Sequence, residues 1–317
     1  MNIWGRKREI SDREVGKVID YRGIQQKKRK RGMHPLLYLL IVVAMISAMY
    51  YARNGVEDIN ISNDDLVYDV IYDGLKNSQT KITISTCSDT EQIYEQGTKV
   101  LKEHPEFFWA TGGFSLSSMQ NAAMPTYVLK VNSRCEQNNI STMMNALNAT
   151  VDNIVSTTNA NCSSDYEKAA FVHDLIVINC DYDTETYQNH LTNPSDGTSL
   201  AYTAYGCLVN RKAVCEGYSR AYKLILNKLN IECEVVSGKA NNGEGIGDHA
   251  WNYIKLDDGY YLIDVTWDDP VGGYGYKSND IRRDYFCLNS EMMSKDHFAD
   301  NAERVPYCDG KKYLGKR

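Results

Sequence analysis

The chain has 317 residues, 43% of them hydrophobic and 24% charged, with a formal net charge of -6; that is enough for a buried core and for two compact domains plus a tail. The charge is uneven: residues 1–32 hold 11 Lys or Arg against 4 Asp or Glu, a balance of +7, which leaves -13 for the rest. None of the nine cysteines sits in a C-x-x-C pair, which excludes a zinc ribbon and a thioredoxin-type site.

Residues 1–32 alternate charge and polarity without a core pattern and read as a flexible cytoplasmic tail. Residues 33–52 contain no Asp, Glu, Lys or Arg, and 20 such residues match the ~20 needed to cross a bilayer as a helix. The cluster Lys27-Lys28-Arg29-Lys30-Arg31 precedes them directly, so the positive-inside rule keeps the N-terminus in the cytoplasm and puts the remainder outside. A cleaved signal peptide takes roughly 15 to 30 residues in all, whereas 32 residues precede this apolar run. An uncleaved, single-pass signal-anchor in the cell membrane is therefore expected. The basic cluster could touch anionic lipid or nucleic acid, but beside a membrane segment its simplest role is topological, and no nucleic-acid partner is expected. Outside the cell, the eight cysteines other than Cys215 could form up to four disulfides, with 105 possible pairings, or stand as buried structural thiols; compartment and not spacing is the only guide.

Residues 53–63 form a short polar linker. The next stretch, 64–160, reads as a small α+β region. A helix opens at Asp64 with Leu66, Val67, Val70, Ile71 and Leu75 on one face. A strand at 81–87, a helix at 89–103, a hairpin of 107–116 with 126–131, and a long helix at 136–156 follow. This region carries no recognisable chemistry and serves to support the remainder or to cover part of its cleft.

Residues 161–317 hold the chemistry. An amphipathic helix spans Asp165 to Asn179, and a polar loop runs from Cys180 to Ser199, too long for a mere connector; such a loop can line a groove or lie passively on the surface. Asp181 to Glu185 begins like a calcium loop, but Thr186 and Thr192 stand where Gly and Glu are required. From Gly217 to Leu229 the residues Tyr218, Ala221, Tyr222, Ile225 and Leu229 recur on one helical face. That puts Cys215 at or just before a first turn, where free N–H groups and the helix dipole favour a thiolate. Strands are predicted at 231–238, 250–256 and 260–267, the last two joined at Asp257-Asp258-Gly259. A further strand at 285–288 and a short helix from Glu291 end the chain.

A thiol that attacks a carbonyl needs an adjacent base, and the base needs a third group to orient it. Cys215, His249 and Asp264 supply these types in order. The other histidines, His173 and His297 among them, read as surface or satisfied core residues. A tight turn at Asp258-Gly259 puts His249 and Asp264 on one face but about four residues, roughly 13 Å, out of register. Contact then requires a wider turn or a bulge.

The run from Tyr202 to Tyr218, with Ala213-Val214-Cys215-Glu216-Gly217-Tyr218 at its end, followed by Asp248-His249-Ala250-Trp251-Asn252 and Asp264-Val265-Thr266-Trp267-Asp268-Asp269-Pro270, resembles the transglutaminase-like superfamily in its bacterial form. The resemblance covers about the last 155 residues, from Asp165, and includes Tyr285-Phe286-Cys287-Leu288 and Lys295-Asp296-His297 near the end. It implies an α+β, papain-like core, a nucleophile helix packed on an antiparallel sheet, here preceded by the small α+β region and one N-terminal transmembrane helix. It implies Cys215 as nucleophile, His249 as general base and acid, and Asp264 as the orienting carboxylate. Tyr205, Glu216 and Trp251 are candidates for oxyanion or substrate contacts. No metal and no cofactor are expected. The expected substrate is a protein or peptide, cell-envelope material included, and the expected reaction is amide cleavage through a thioester. Protein-glutamine transamidation and a non-catalytic cell-surface binding module on the same fold are the alternatives.

Overall fold

The computed structural model describes residues 63–86, 88–119, 125–193, 197–269 and 281–316. The expected tail, membrane segment and most of the linker lie outside these residues. No helix among the described residues is long and apolar enough to cross a membrane.

In chain order the elements are α1 (Asn63–Lys76), β1 (Lys81–Ser85), α2 (Thr90–Glu103), β2 (Ala110–Ser118), β3 (Thr126–Ser133), α3 (Gln137–Asn161), α4 (Asp165–Asn179), β4 (Asp181–Tyr182), α5 (Thr184–Thr192), β5 (Lys212–Ala213), α6 (Cys215–Lys228), β6 (Cys233–Asn241), β7 (Ile246–Leu256), β8 (Gly259–Ile263), α7 (Ser290–Met293) and β9 (His297–Ala299). The result is a mixed α+β architecture.

Strands β1, β3 and β2 form an antiparallel sheet in that order. Its β2–β3 ladder slips between Ala110 and Phe114, and Gly112 there has φ +81°, a value that favours glycine. Helix α1 contributes Val67, Ile71 and Leu75 to the core. Leu66 and Val70, expected on the same face, are exposed, so the buried stripe is narrower than the apolar pattern. Helix α2 starts with a capping box in which Asp89 accepts from Gln92 N–H and the Gln92 side chain accepts from Asp89 N–H.

The second sheet, β8-β7-β6-β9, is antiparallel throughout, and α6 packs on it. Three buried polar side chains fix that packing. The Asn252 amide donates to Ser219 O at 3.0 Å and Glu234 O at 3.2 Å, joining β7 to α6 and β6. The Tyr218 hydroxyl donates to Asp269 at 2.7 Å. Lys223, 1% exposed, donates to Glu234 at 2.7 Å and to Lys102 O at 2.9 Å, tying α6 to the end of α2. One hydrophobic cluster runs from Val67 and Trp109 through Leu147 and Ile176 to Tyr218, Ile225 and Tyr261. The core therefore continues without a break across residue 160, and Ile61–Arg317 form one compact unit.

Three expectations change. The stretch 180–199 is not a plain loop. It holds β4, paired in parallel with β5, and α5, whose N-cap Asp183 accepts from Thr186 N–H at 3.1 Å. The segment Tyr285–Leu288 is not a strand; it makes one isolated bridge, Leu262 with Leu288, and Cys287 has φ +56°. The third sheet strand stops at Ile263 and not at Trp267. The eight described cysteines are all free thiols.

Candidate active site

Cys215 is the first residue of α6, and the N-cap before it, Val214, provides no side-chain cap. The first-turn N–H groups are thus left to interact with whatever approaches the helix end. Gly217 allows α6 to sit close to the preceding segment: a Cβ there would lie 2.3 Å from Ala201 O and 3.1 Å from Thr203 O. Cys215 is half-buried.

His249 is on β7 and Asp264 follows the last residue of β8. The hairpin turn is Asp257-Asp258, since Leu256 pairs with Gly259 and Asn252 with Ile263. This is one residue earlier than a turn at Asp258-Gly259, and it halves the offset. Extending the ladder puts Asp264 opposite Trp251, two residues from His249, so the pair is diagonal on one face and needs no bulge. The strand also ends there. Asp264 Oδ1 accepts from the N–H groups of Thr266 (2.9 Å) and Trp267 (3.1 Å), which turns the chain as an Asp side chain commonly does. Its other oxygen, Oδ2, is then directed at His249 Nε2, 2.6 Å away.

With Nε2 committed to Asp264, Nδ1 is the ring nitrogen left for Cys215, which lies close enough to help raise the ring's pKa. Burial by itself would lower the His249 pKa, but the Asp264 carboxylate and Cys215 outweigh it and push the ring up to about 10. Burial would likewise raise Asp264, yet His249 and His297 hold its carboxyl well below the usual range. The structure thus brings Cys215, His249 and Asp264 together, with a hydrogen bond between the last two.

The secondary candidates separate. Trp251 is buried with its ring 6.0 Å from that of His249 and nearly parallel to it; Trp267 flanks the imidazole at 5.5 Å. Glu216 forms an ion pair with Arg220 one turn along α6, at 2.7 Å. Tyr205 is not brought to the pair: its ring stacks on Phe108 at 4.5 Å, within the core.

Two residues escaped sequence reasoning. His297, on β9, approaches the same Asp264 oxygen at 3.0 Å, and it is buried. Its signal was the Lys295-Asp296-His297 tail motif, which spacing alone could not connect to residue 264. Tyr182 on β4 pairs with Ala213, and its hydroxyl pKa is raised by burial and then by the nearby Cys215; a two-residue parallel bridge leaves no periodic pattern in the sequence. Helix α5 also reaches this region, since a Cβ on Gly247 would lie 3.4 Å from the Tyr187 hydroxyl. His249, Asp264 and His297 place two ring nitrogens and one oxygen within 4.8 Å of one another. Both nitrogens are aimed at that oxygen as hydrogen-bonding groups.

A second buried cluster braces the site from behind. His173 is fully buried, with Asp174 at 3.1 Å on one ring nitrogen and Asp268 at 3.1 Å on the other. Asp268 also accepts from Tyr285 N–H at 3.0 Å. The turn that carries Asp264 is thereby tied to α4 and to residue 285.

The chain resembles known proteins over part of its length. The chain is 24% identical over 151 residues to kyphoscoliosis peptidase of Mus musculus, covering 44% of this chain and 21% of that protein. It is 23% identical over 164 residues to kyphoscoliosis peptidase of Homo sapiens, covering 48% and 23%. The chain thus spans less than a quarter of the length of these curated relatives. A crystal structure of a TGase aligns with 17% identity and a TM-score of 0.34, over 54% of this chain and 47% of that one. The family described as the transglutaminase-like superfamily matches residues 152–265, which include Cys215, His249 and Asp264. Residues 152–265 of this chain are a transglutaminase-like superfamily domain.

Proposed function

We propose that this domain is a thiol-dependent acyl-transfer enzyme acting on amide bonds, with hydrolysis as its main outcome. The observation that carries the reading is the line Cys215–His249–Asp264 at the uncapped N-terminus of α6. Cys215 Sγ attacks the carbonyl carbon, and the proton that leaves the thiol resides on His249. The first-turn N–H groups of α6 face the developing oxyanion. As the C–N bond breaks, His249 gives that proton to the departing amine and a thioester remains. A water molecule then loses a proton to His249 and attacks the thioester, restoring the thiol.

Hydrolysis is favoured over amine transfer because Cys215 is half-exposed. Transamidation requires the thioester to outlast water until an amine arrives, which calls for a site that excludes solvent. The names of the relatives, peptidase and TGase, span both outcomes. The topology read from residues 27–52 puts the chemistry outside the cell, and protease added to intact cells would then cut beyond Asn54 and spare the first 32 residues.

The test is to supply the purified protein with a glutamine-containing peptide and a labelled primary amine and to follow both products by mass spectrometry. Free carboxylate products are expected to dominate, with the Cys215→Ala variant inactive and its melting temperature within a few degrees of the parent. Turnover that survives Cys215→Ala would refute the enzyme reading. Predominant amine incorporation at low millimolar amine would refute hydrolysis as the main reaction.

A further inference from the structure

The hydrogen bonds do not end at Asp264. His297 Nε2 lies 3.0 Å from Asp264 Oδ2, the oxygen that also faces His249. His297 Nδ1 lies 2.6 Å from Asp296 Oδ1, and the other oxygen of Asp296 accepts from the Tyr285 hydroxyl at 2.7 Å. The His297 side chain is fully buried while Asp296 is partly exposed, so the chain of bonds runs from His249 towards the surface. Backbone pairing holds it in place, with His297 opposite Ala240 on β6.

Both ring nitrogens of His297 thus face carboxylate oxygens. A neutral imidazole has one N–H and one lone pair, and its lone pair would point at an oxygen 2.6 or 3.0 Å away. The conflict is removed by a proton on the ring or on a carboxyl. Asp264 already accepts two backbone N–H groups besides the imidazoles, which favours its ionised form. Asp296 already acts as an acceptor through its other oxygen, which takes the Tyr285 hydroxyl, and it is partly open to solvent. The proton belongs on the ring.

We propose that His297 is a positioning residue of this site, held as an imidazolium between Asp264 and Asp296, and that it sets the pH range in which the Cys215–His249 pair works. The proposal rests on the acyl-transfer reading above. Two imidazoles share one carboxylate oxygen, so His297 takes part of the charge that Asp264 would otherwise direct at His249. It also fixes the rotation of that carboxylate. The groups facing His297 are Asp264, His249, Trp251, Trp267 and Tyr285, whose rings lie within 5.5 Å of it where measured, together with its neighbour Asp296. Asp268 lies beyond Tyr285 and binds that residue's N–H. His297 is therefore the cation next to His249. Removing its charge strengthens the hold of Asp264 on a protonated His249, which then keeps its proton to higher pH.

The test is the pH profile of Cys215 alkylation by iodoacetamide in the full chain, quantified at that residue by peptide mass spectrometry. His297→Gln keeps an amide donor towards Asp264 without the charge, and Asp296→Asn leaves every contact of His249 intact while removing the reason for His297 to be charged. Both variants should shift the alkaline limb upward by about one pH unit, the size expected for a charge ~5 Å away at a high effective dielectric. A structural role alone would lower the amplitude and leave the profile in place. In the unaltered protein, histidine-selective nitrogen NMR should show both His297 nitrogens protonated at pH 8. A neutral His297 at that pH, or variants whose profile stays within ~0.2 of the parent, would overturn this proposal alone. A parent protein whose Cys215 alkylates no faster than free thiols at pH 6 would overturn the acyl-transfer reading and this proposal with it.

Discussion

Replacing Asp264 with Asn keeps the shape of the side chain and removes its charge, so it isolates what the carboxylate does. The Asn oxygen can still accept from Thr266 and Trp267 N–H, as Oδ1 does now. Its NH2 group then faces His249 and His297, where Oδ2 stands at 2.6 and 3.0 Å. Donor meets donor unless each ring presents a lone pair. For His249 that moves the ring proton to the nitrogen facing Cys215, where it blocks acceptance of the thiol proton. The analogous exchange in the serine protease triad costs ~10⁴ in turnover, and ~10³ to 10⁴ is expected here, about 4 to 5.5 kcal/mol of barrier. Alkylation reports the same change without a substrate. A thiol at the ordinary pKa of ~8.5 is ionised to about 0.3% at pH 6. Iodoacetamide labelling of Cys215 at that pH should then fall by roughly 10-fold, because the fewer thiolates that remain are each more nucleophilic. Two charge-assisted hydrogen bonds become neutral ones, a loss of about 2 to 3 kcal/mol, so the melting temperature should drop by roughly 4 to 10 °C. Labelling at pH 6 within threefold of the parent, in a folded variant, would refute the role given to Asp264.

Stability against pH follows from the same groups. Asp264 and Asp174 have lowered folded pKa values; the stability they contribute is present above the unfolded value near ~4 and lost as pH falls through the folded ones. His173 and His249 are raised, His249 to about 10; their contribution is full below ~6.5 and declines as pH rises through the folded values. Melting temperature against pH should therefore plateau between about 4 and 6.5 and fall on both sides. A melting temperature that climbs from pH 7 to 10 would contradict this. Gly217→Ala should cost about 1 to 3 kcal/mol and slow Cys215 labelling, because the new Cβ meets backbone, Ala201 O at 2.3 Å, which has no rotamer to move away. An unchanged denaturant midpoint would show that the 201–203 segment yields freely.

The helices around the site were legible because their signals are local. Asp165 to Asn179 was read to the residue, with Ser164 and Glu167 forming its capping box. Cys215 was placed at a helix start from the spacing of Tyr218, Ala221, Tyr222 and Ile225, all of them buried. The strand boundaries were less legible. Alternation carried the third strand through Trp267, but Asp264 accepts two backbone N–H groups ahead of it and turns the chain. A side-chain bond of that kind has no period.

The chain order of Cys215, His249 and Asp264 was a property of the sequence by itself, because each sits in a characteristic neighbourhood of residues that a short motif can carry. Their meeting was decided only in three dimensions. The hairpin could turn at Asp257-Asp258 or one residue later, a difference of two residues in register, and the choice depends on pairing along the whole of β7 and β8. The same holds for His297. It lies 33 residues from Asp264 in sequence and arrives beside it because β9 adds to the far edge of the sheet, against β6. Strand addition at an edge is governed by free backbone N–H and C=O groups, which every residue but proline offers alike, so only the folded sheet determines which side chain stands next to the carboxylate.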